Sequence, residues 1–125
     1  MATGFSPASP EDDCFWRAVA SAEAAIFEDS SQAYGLGPGT GQRGLVELHS
    51  LKSMAGKKCA RFFWAKKNAI DWAKAQGKGW RVLRVSAKAL QLGIDFDVWE
   101  KTTDIILDGA KAREFGVLHD PDKVP

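Results

Sequence analysis

The sequence predicts one compact α+β domain in which short strands outnumber helices. A chain of 125 residues sits near the commonest size of a single domain and can bury one hydrophobic core. Apolar residues make up 45% and charged residues 26%, an ordinary globular balance that is too hydrophobic for intrinsic disorder. Apolar segments of strand length recur along the chain, whereas helical spacing is confined to two stretches and no internal repeat is evident.

Residues 1–13 combine Gly4, Pro7 and Pro10 with small polar residues and read as an extended N-terminal arm, so the fold is expected to occupy residues 14–125. Residues 14–19 suit a strand, with Phe15, Arg17 and Val19 on one face and Cys14, Trp16 and Ala18 on the other. Ser21 can cap a helix running to about Ser30, with Glu23 in its first turn, where a carboxylate favours the helix dipole. Five glycines and a proline within residues 34–44 then enforce a loop. That loop has neither the Gly-Lys-Ser/Thr ending of a P-loop nor a dinucleotide-type glycine spacing after a strand.

Residues 45–51 and the triplet Phe62, Phe63 and Trp64 suit strands. Asn68 can cap a second helix carrying Ala69, Trp72 and Ala73 on one face, with Gly77 as its stop. Residues 80–85 form a strand with little alternation, which predicts a central position. Residues 86–90 suit a helical turn; strands follow at 94–99 and 103–107, closed by a turn at Asp108 and Gly109.

The 17 Lys and Arg residues nearly cancel 16 Asp and Glu, so a net charge of +1 gives no whole-molecule attraction to nucleic acid or membrane. The charge is nonetheless segregated. Eleven basic residues against Glu47 and Asp71 lie from Arg43 to Arg84, and five acids against one Lys lie in residues 94–108. That asymmetry suits either an anionic ligand held against the middle of the chain or solvated charge divided across one surface. Cys14 and Cys59 make neither a disulfide framework nor a metal motif, and no metal is expected. With no long apolar stretch and no basic-then-apolar opening, the chain is expected to be soluble, cytoplasmic or delivered by a specialised secretion route, with no membrane partner.

The run Trp16-Arg-Ala-Val-Ala-Ser-Ala-Glu-Ala-Ala-Ile26 resembles the opening of ADP-ribosyltransferase-like toxin domains found at the C-termini of bacterial polymorphic toxins. In that pattern an aromatic-Arg strand leads into a short helix, a Gly- and Pro-containing loop, a Gly-Lys stretch, an aromatic strand and a second helix. Here these are residues 34–38 for the loop, Gly56 and Lys57, residues 62–65 for the strand, and residues 69–73 for the helix. Residues 58–61 are inserted relative to that pattern, and a Ser-Thr-Ser element is absent.

The resemblance implies a split, mostly antiparallel sheet of five to seven strands with two principal helices. It also implies NAD as substrate, transfer of ADP-ribose to a protein or nucleic-acid acceptor, and a neutralising immunity partner. Arg17 would grip the nucleotide with its planar fork of donors. Tyr34, Phe62 and Phe63 would frame nicotinamide, and Glu100 or Asp104 would supply the carboxylate that stabilises the developing oxocarbenium centre or activates the acceptor. Arg17→Ala is expected to abolish activity while leaving the fold largely intact. A transferase fold that retains binding without catalysis fits the same residues.

Two other readings rest on different residues. The segment from Asp12 to Val19 is similar to the nucleophile region of papain-like cysteine proteases, with Cys14 as nucleophile and His119 as base. Alternatively, Lys52, Lys57, Lys58, Arg61, Lys66 and Lys67 interleave with Phe62, Phe63 and Trp64 in a pattern suited to binding or cleaving single-stranded nucleic acid.

Overall fold

A computed structural model describes residues 13–36, 52–54, 56–98 and 105–125. In chain order the elements are β1 (Cys14–Val19), α1 (Ser21–Glu28), β2 (Cys59–Phe62), α2 (Lys66–Gln76), β3 (Arg81–Ser86), β4 (Phe96–Val98), β5 (Ile105–Asp108), α3 (Gly109–Phe115) and β6 (Gly116–His119). Among the described residues the strands form two three-stranded antiparallel sheets, ordered β1-β3-β6 and β2-β5-β4. No helix of the described residues is long and apolar enough to cross a membrane.

Strand β1 has apolar residues on both faces because both are covered. Phe15 and Val19 enter the main core with Phe62, Leu83, Phe96, Ile105 and Leu107, while Cys14 and Trp16 pack with Ala69, Ala73 and Val82 beneath α2. The main core is tightened by Phe15 against Phe96, with ring centroids 4.9 Å apart in a tilted arrangement that suits the ring quadrupoles. Strand β3 lies between β1 and β6, the central position its weak alternation predicts.

Several boundaries differ from expectation. Ala20 and Ala65, without side-chain caps, precede α1 and α2; Ser21 is the first residue of its helix and Asn68 lies within the first turn. Strand β2 begins three residues before the aromatic triplet, which leaves Phe63 beyond its end. Asp13 is tied to the fold, its carbonyl accepting from the Ala87 amide at 2.7 Å. Residues 45–51 lie outside the described residues.

The expected turn at Asp108 and Gly109 is instead the start of α3, with the Asp108 carboxylate accepting from the Ala110 amide at 3.1 Å as an N-cap. Helix α3 is bound to α1 by Arg113, whose guanidinium donates to the carbonyls of Ile26, Phe27 and Gln32 at 2.8, 3.0 and 2.5 Å. The Ile26 carbonyl also accepts from the Asp29 amide at 3.2 Å, and a cation at this end of α1 is favoured by the helix dipole.

Candidate functional site

Among the described residues, one backbone bridge joins the two sheets. Trp16 and Phe63 exchange backbone hydrogen bonds, amide to carbonyl, at 3.0 and 2.5 Å. Away from this bridge β1 is paired with β3, and β2 is paired with β5 and, at Cys59, with Leu36. A cleft of about 510 Å³ lies at the divergence, within the range of small-molecule sites. Arg17, Glu23 and Phe62 line it from the main-core side; Ala18, Trp72 and Trp80 line it from the α2 side, with Arg61 and Phe63 contributed by β2 and the bridge.

Alternation along β1 points Arg17 to the same side as Phe15 and Val19, and α1 begins two residues after β1 ends, which brings Glu23 back over Arg17. The guanidinium grips Glu23 through Nε to Oε2 and Nη2 to Oε1, both at 2.7 Å, the two-pronged geometry that makes Arg–carboxylate pairs strong. Nη1 donates across the divergence to the Arg61 carbonyl at 2.8 Å, a bond between the two sheets beyond the end of their ladder. The Tyr34 hydroxyl donates to Glu23 Oε2 at 2.6 Å, and its ring packs edge-on against Phe27.

Tyr34 is placed by its neighbours on the chain. Leu36 exchanges backbone bonds with Cys59 at 2.7 and 3.3 Å, extending the second sheet beside β2. Gly109, the first residue of α3, donates its amide to the Lys58 carbonyl at 2.8 Å, and a Cβ there would lie 1.8 Å from the Tyr34 carbonyl oxygen. Only glycine admits that approach.

Burial opposes ionisation of Glu23, but the hydrogen bonds and charge of Arg17, with the Tyr34 hydroxyl, outweigh it and hold the carboxyl below its ordinary range. Burial likewise opposes the Arg17 charge and is outweighed by Glu23, so the pair is ionised. For Tyr34, burial raises the phenol strongly, Arg17 opposing and Glu23 reinforcing, so it stays a protonated donor. The site therefore holds a fixed ion pair beside a cleft with two indoles on its far wall.

The structure brings Arg17 and Phe63 to one cleft; Phe62 borders it, but its side chain is 1% exposed and packed into the main core, so it cannot frame nicotinamide as expected. Tyr34 does not face that cleft: it is 3% exposed and lies behind Glu23, where it braces the ion pair. Arg17 is also more structural than expected, since its replacement by alanine removes bonds to α1 and β2 at once. Glu100 and Asp104 lie outside the described residues; in sequence, Asp104 immediately precedes Ile105, whose partner in the ladder is the cleft residue Phe62. Sequence reasoning missed Glu23, Trp72 and Trp80 as site residues. Glu23 carried a signal, a carboxylate in the first turn of the helix directly after the Arg17 strand.

The protease arrangement is not assembled. Cys14 is a buried strand residue opposite Ser86, whereas His119 pairs with Val82 at the other end of β3, roughly 13 Å away along that strand alone. Burial, then Arg84 and Arg81, disfavours the protonated form of His119. Burial, then Asp108, pushes the other thiol, Cys59, up to about 11 against the opposing effect of Lys57.

The basic and aromatic segment is not an open stacking platform either. Phe62 is 1% exposed and Trp64 packs against the main core. Lys57 donates to the Ile94 carbonyl, Lys66 to that of Pro125 at 3.0 Å, and Lys67 pairs with Asp71. No protein-family model, curated protein or solved structure matches the chain.

Proposed function

We propose that this domain is an NAD-dependent ADP-ribosyltransferase-type effector whose dinucleotide site is the cleft where β1 and β2 diverge. The observation that carries the reading is the convergence of Arg17 and Phe63, two residues picked out by the resemblance, around one cleft with Arg61 and two indoles. The split antiparallel arrangement of six described strands agrees with the architecture the resemblance implies.

The Arg17 guanidinium meets the nucleotide already fixed by Glu23, so little reorganisation is needed on binding. In the reaction, the bond between nicotinamide and the ribose C1′ breaks, and its electron pair leaves with nicotinamide. The oxocarbenium-like centre is attacked by the acceptor nucleophile, which surrenders its proton to a base. Glu100 or Asp104 is the carboxylate that the resemblance implies for that centre.

Titration with NAD, followed by thermal unfolding and by release of free nicotinamide, tests the proposal. A ligand that binds the folded state raises its apparent stability, by about 2.7 kcal/mol at a hundred times the dissociation constant. The expected result is stabilisation with nicotinamide release. Stabilisation alone would mark a fold that binds NAD without turnover, and no shift at millimolar NAD would contradict the reading.

A further inference from the structure

Resting on the NAD reading, we infer that the cleft has two chemically distinct ends and that Trp72 and Trp80 form a stacking subsite for the adenine base. The division follows from β1. Arg17 and Ala18 both line the cleft yet point to opposite faces of the strand, so the cleft reaches both sides of the divergence. On the main-core side stand the Arg17–Glu23 ion pair and Phe62. On the α2 side stand Ala18 and Trp80, with Trp72 on α2 itself.

The two ends suit different halves of a dinucleotide. Nicotinamide carries positive charge in NAD, and its departure leaves a cationic ribose, so the reacting half belongs at the end that holds the ionised Glu23 carboxylate and adjoins β5. The α2 end presents aromatic faces. Trp72 is 53% exposed at the cleft, although Ala69 and Ala73 on the same helix are buried beneath it. A half-exposed indole that shares its cleft with a second indole offers a neutral, polarisable face of the kind on which a purine stacks. Arg61 lines the same cleft as a cation of the sign a pyrophosphate requires.

Binding of AMP and of nicotinamide mononucleotide to the wild-type chain, Trp72→Ala and Trp72→Phe, measured by calorimetry, tests this assignment. AMP is expected to bind the wild type saturably and to weaken about fivefold or more in Trp72→Ala, with Trp72→Phe restoring most of the loss. Nicotinamide mononucleotide should bind all three alike. Thermal unfolding of each variant confirms that the fold is intact.

Equal AMP affinity in Trp72→Ala, failure of AMP to bind the wild type, or selective loss of nicotinamide mononucleotide would each overturn the subsite. If AMP binds and depends on Trp72 while NAD fails to bind, the transferase reading falls and the base subsite stands. If NAD is bound and cleaved while Trp72→Ala leaves AMP affinity unchanged, the reverse holds.

Discussion

The two walls of the cleft are built by opposite means. On the main-core side, Arg17, Glu23 and Tyr34 are mutually hydrogen-bonded, and Gly109 permits the close contact that seats Tyr34. On the α2 side, Trp72 remains half exposed. The first wall contributes to the fold itself; the second can lose a side chain at little cost. Residues that line the same cleft thus differ in what their replacement reports, and stability and ligand affinity should separate along this division.

The largest expected effect is on the main-core side. Gly109→Ala drives a methyl group into backbone that cannot yield as a flexible side chain would, and should destabilise by about 3 kcal/mol or more in denaturant unfolding. A near-neutral result would show that the Tyr34 segment is not held as described.

Glu23→Gln comes next, at about 2–3 kcal/mol, because it leaves Arg17 largely buried without its counter-charge while both side chains keep some contact with water. The same pair sets a pH dependence. Glu23 has a folded-state value below its ordinary 4.5, so its stabilisation is complete above about pH 4.5 and is lost as pH falls through the depressed value. Melting temperatures between pH 3 and 6 should therefore fall less steeply on acidification in Glu23→Gln than in the wild type. Parallel curves would remove Glu23 from the linkage.

The smallest effect should be Trp72→Ala on stability, within about 0.5 kcal/mol, as for a largely exposed surface position. A loss of several kcal/mol would make Trp72 a structural residue and erase the contrast between the walls.

Much of this was legible in the sequence where local pattern and tertiary environment agree. Strand β1 matched in both bounds, and each of its faces found its own cluster. Helix α2 ends at Gly77, whose φ of 108° is one that glycine adopts without strain.

Helix α3 was not legible, because Asp-Gly after an apolar run is a strong turn signal and a seven-residue helix opening on glycine has little intrinsic stability. It is held by buried Ala112, by Arg113 across to α1 and by the Gly109 contact, all distant in sequence. Trp72 was misplaced for a geometric reason. Ala69 and Ala73, one helical turn apart, form the stripe that meets β1, and at 3.6 residues per turn Trp72 falls at its margin beside the cleft. The ion pair joins elements that sequence reasoning placed correctly, but the bidentate grip and the brace from Tyr34 depend on how α1 folds back over β1.

The most direct test of the account is to map NAD on the protein by backbone amide chemical shifts in a labelled sample. If the cleft is the site, shifts concentrate at residues 17–20, 61–63, 72 and 80, and the amides of β4 and α3 stay in place. Shifts centred instead on the separate hollow lined by Lys74, Lys78, Arg81 and Lys123, or no shifts at saturating NAD, would contradict it.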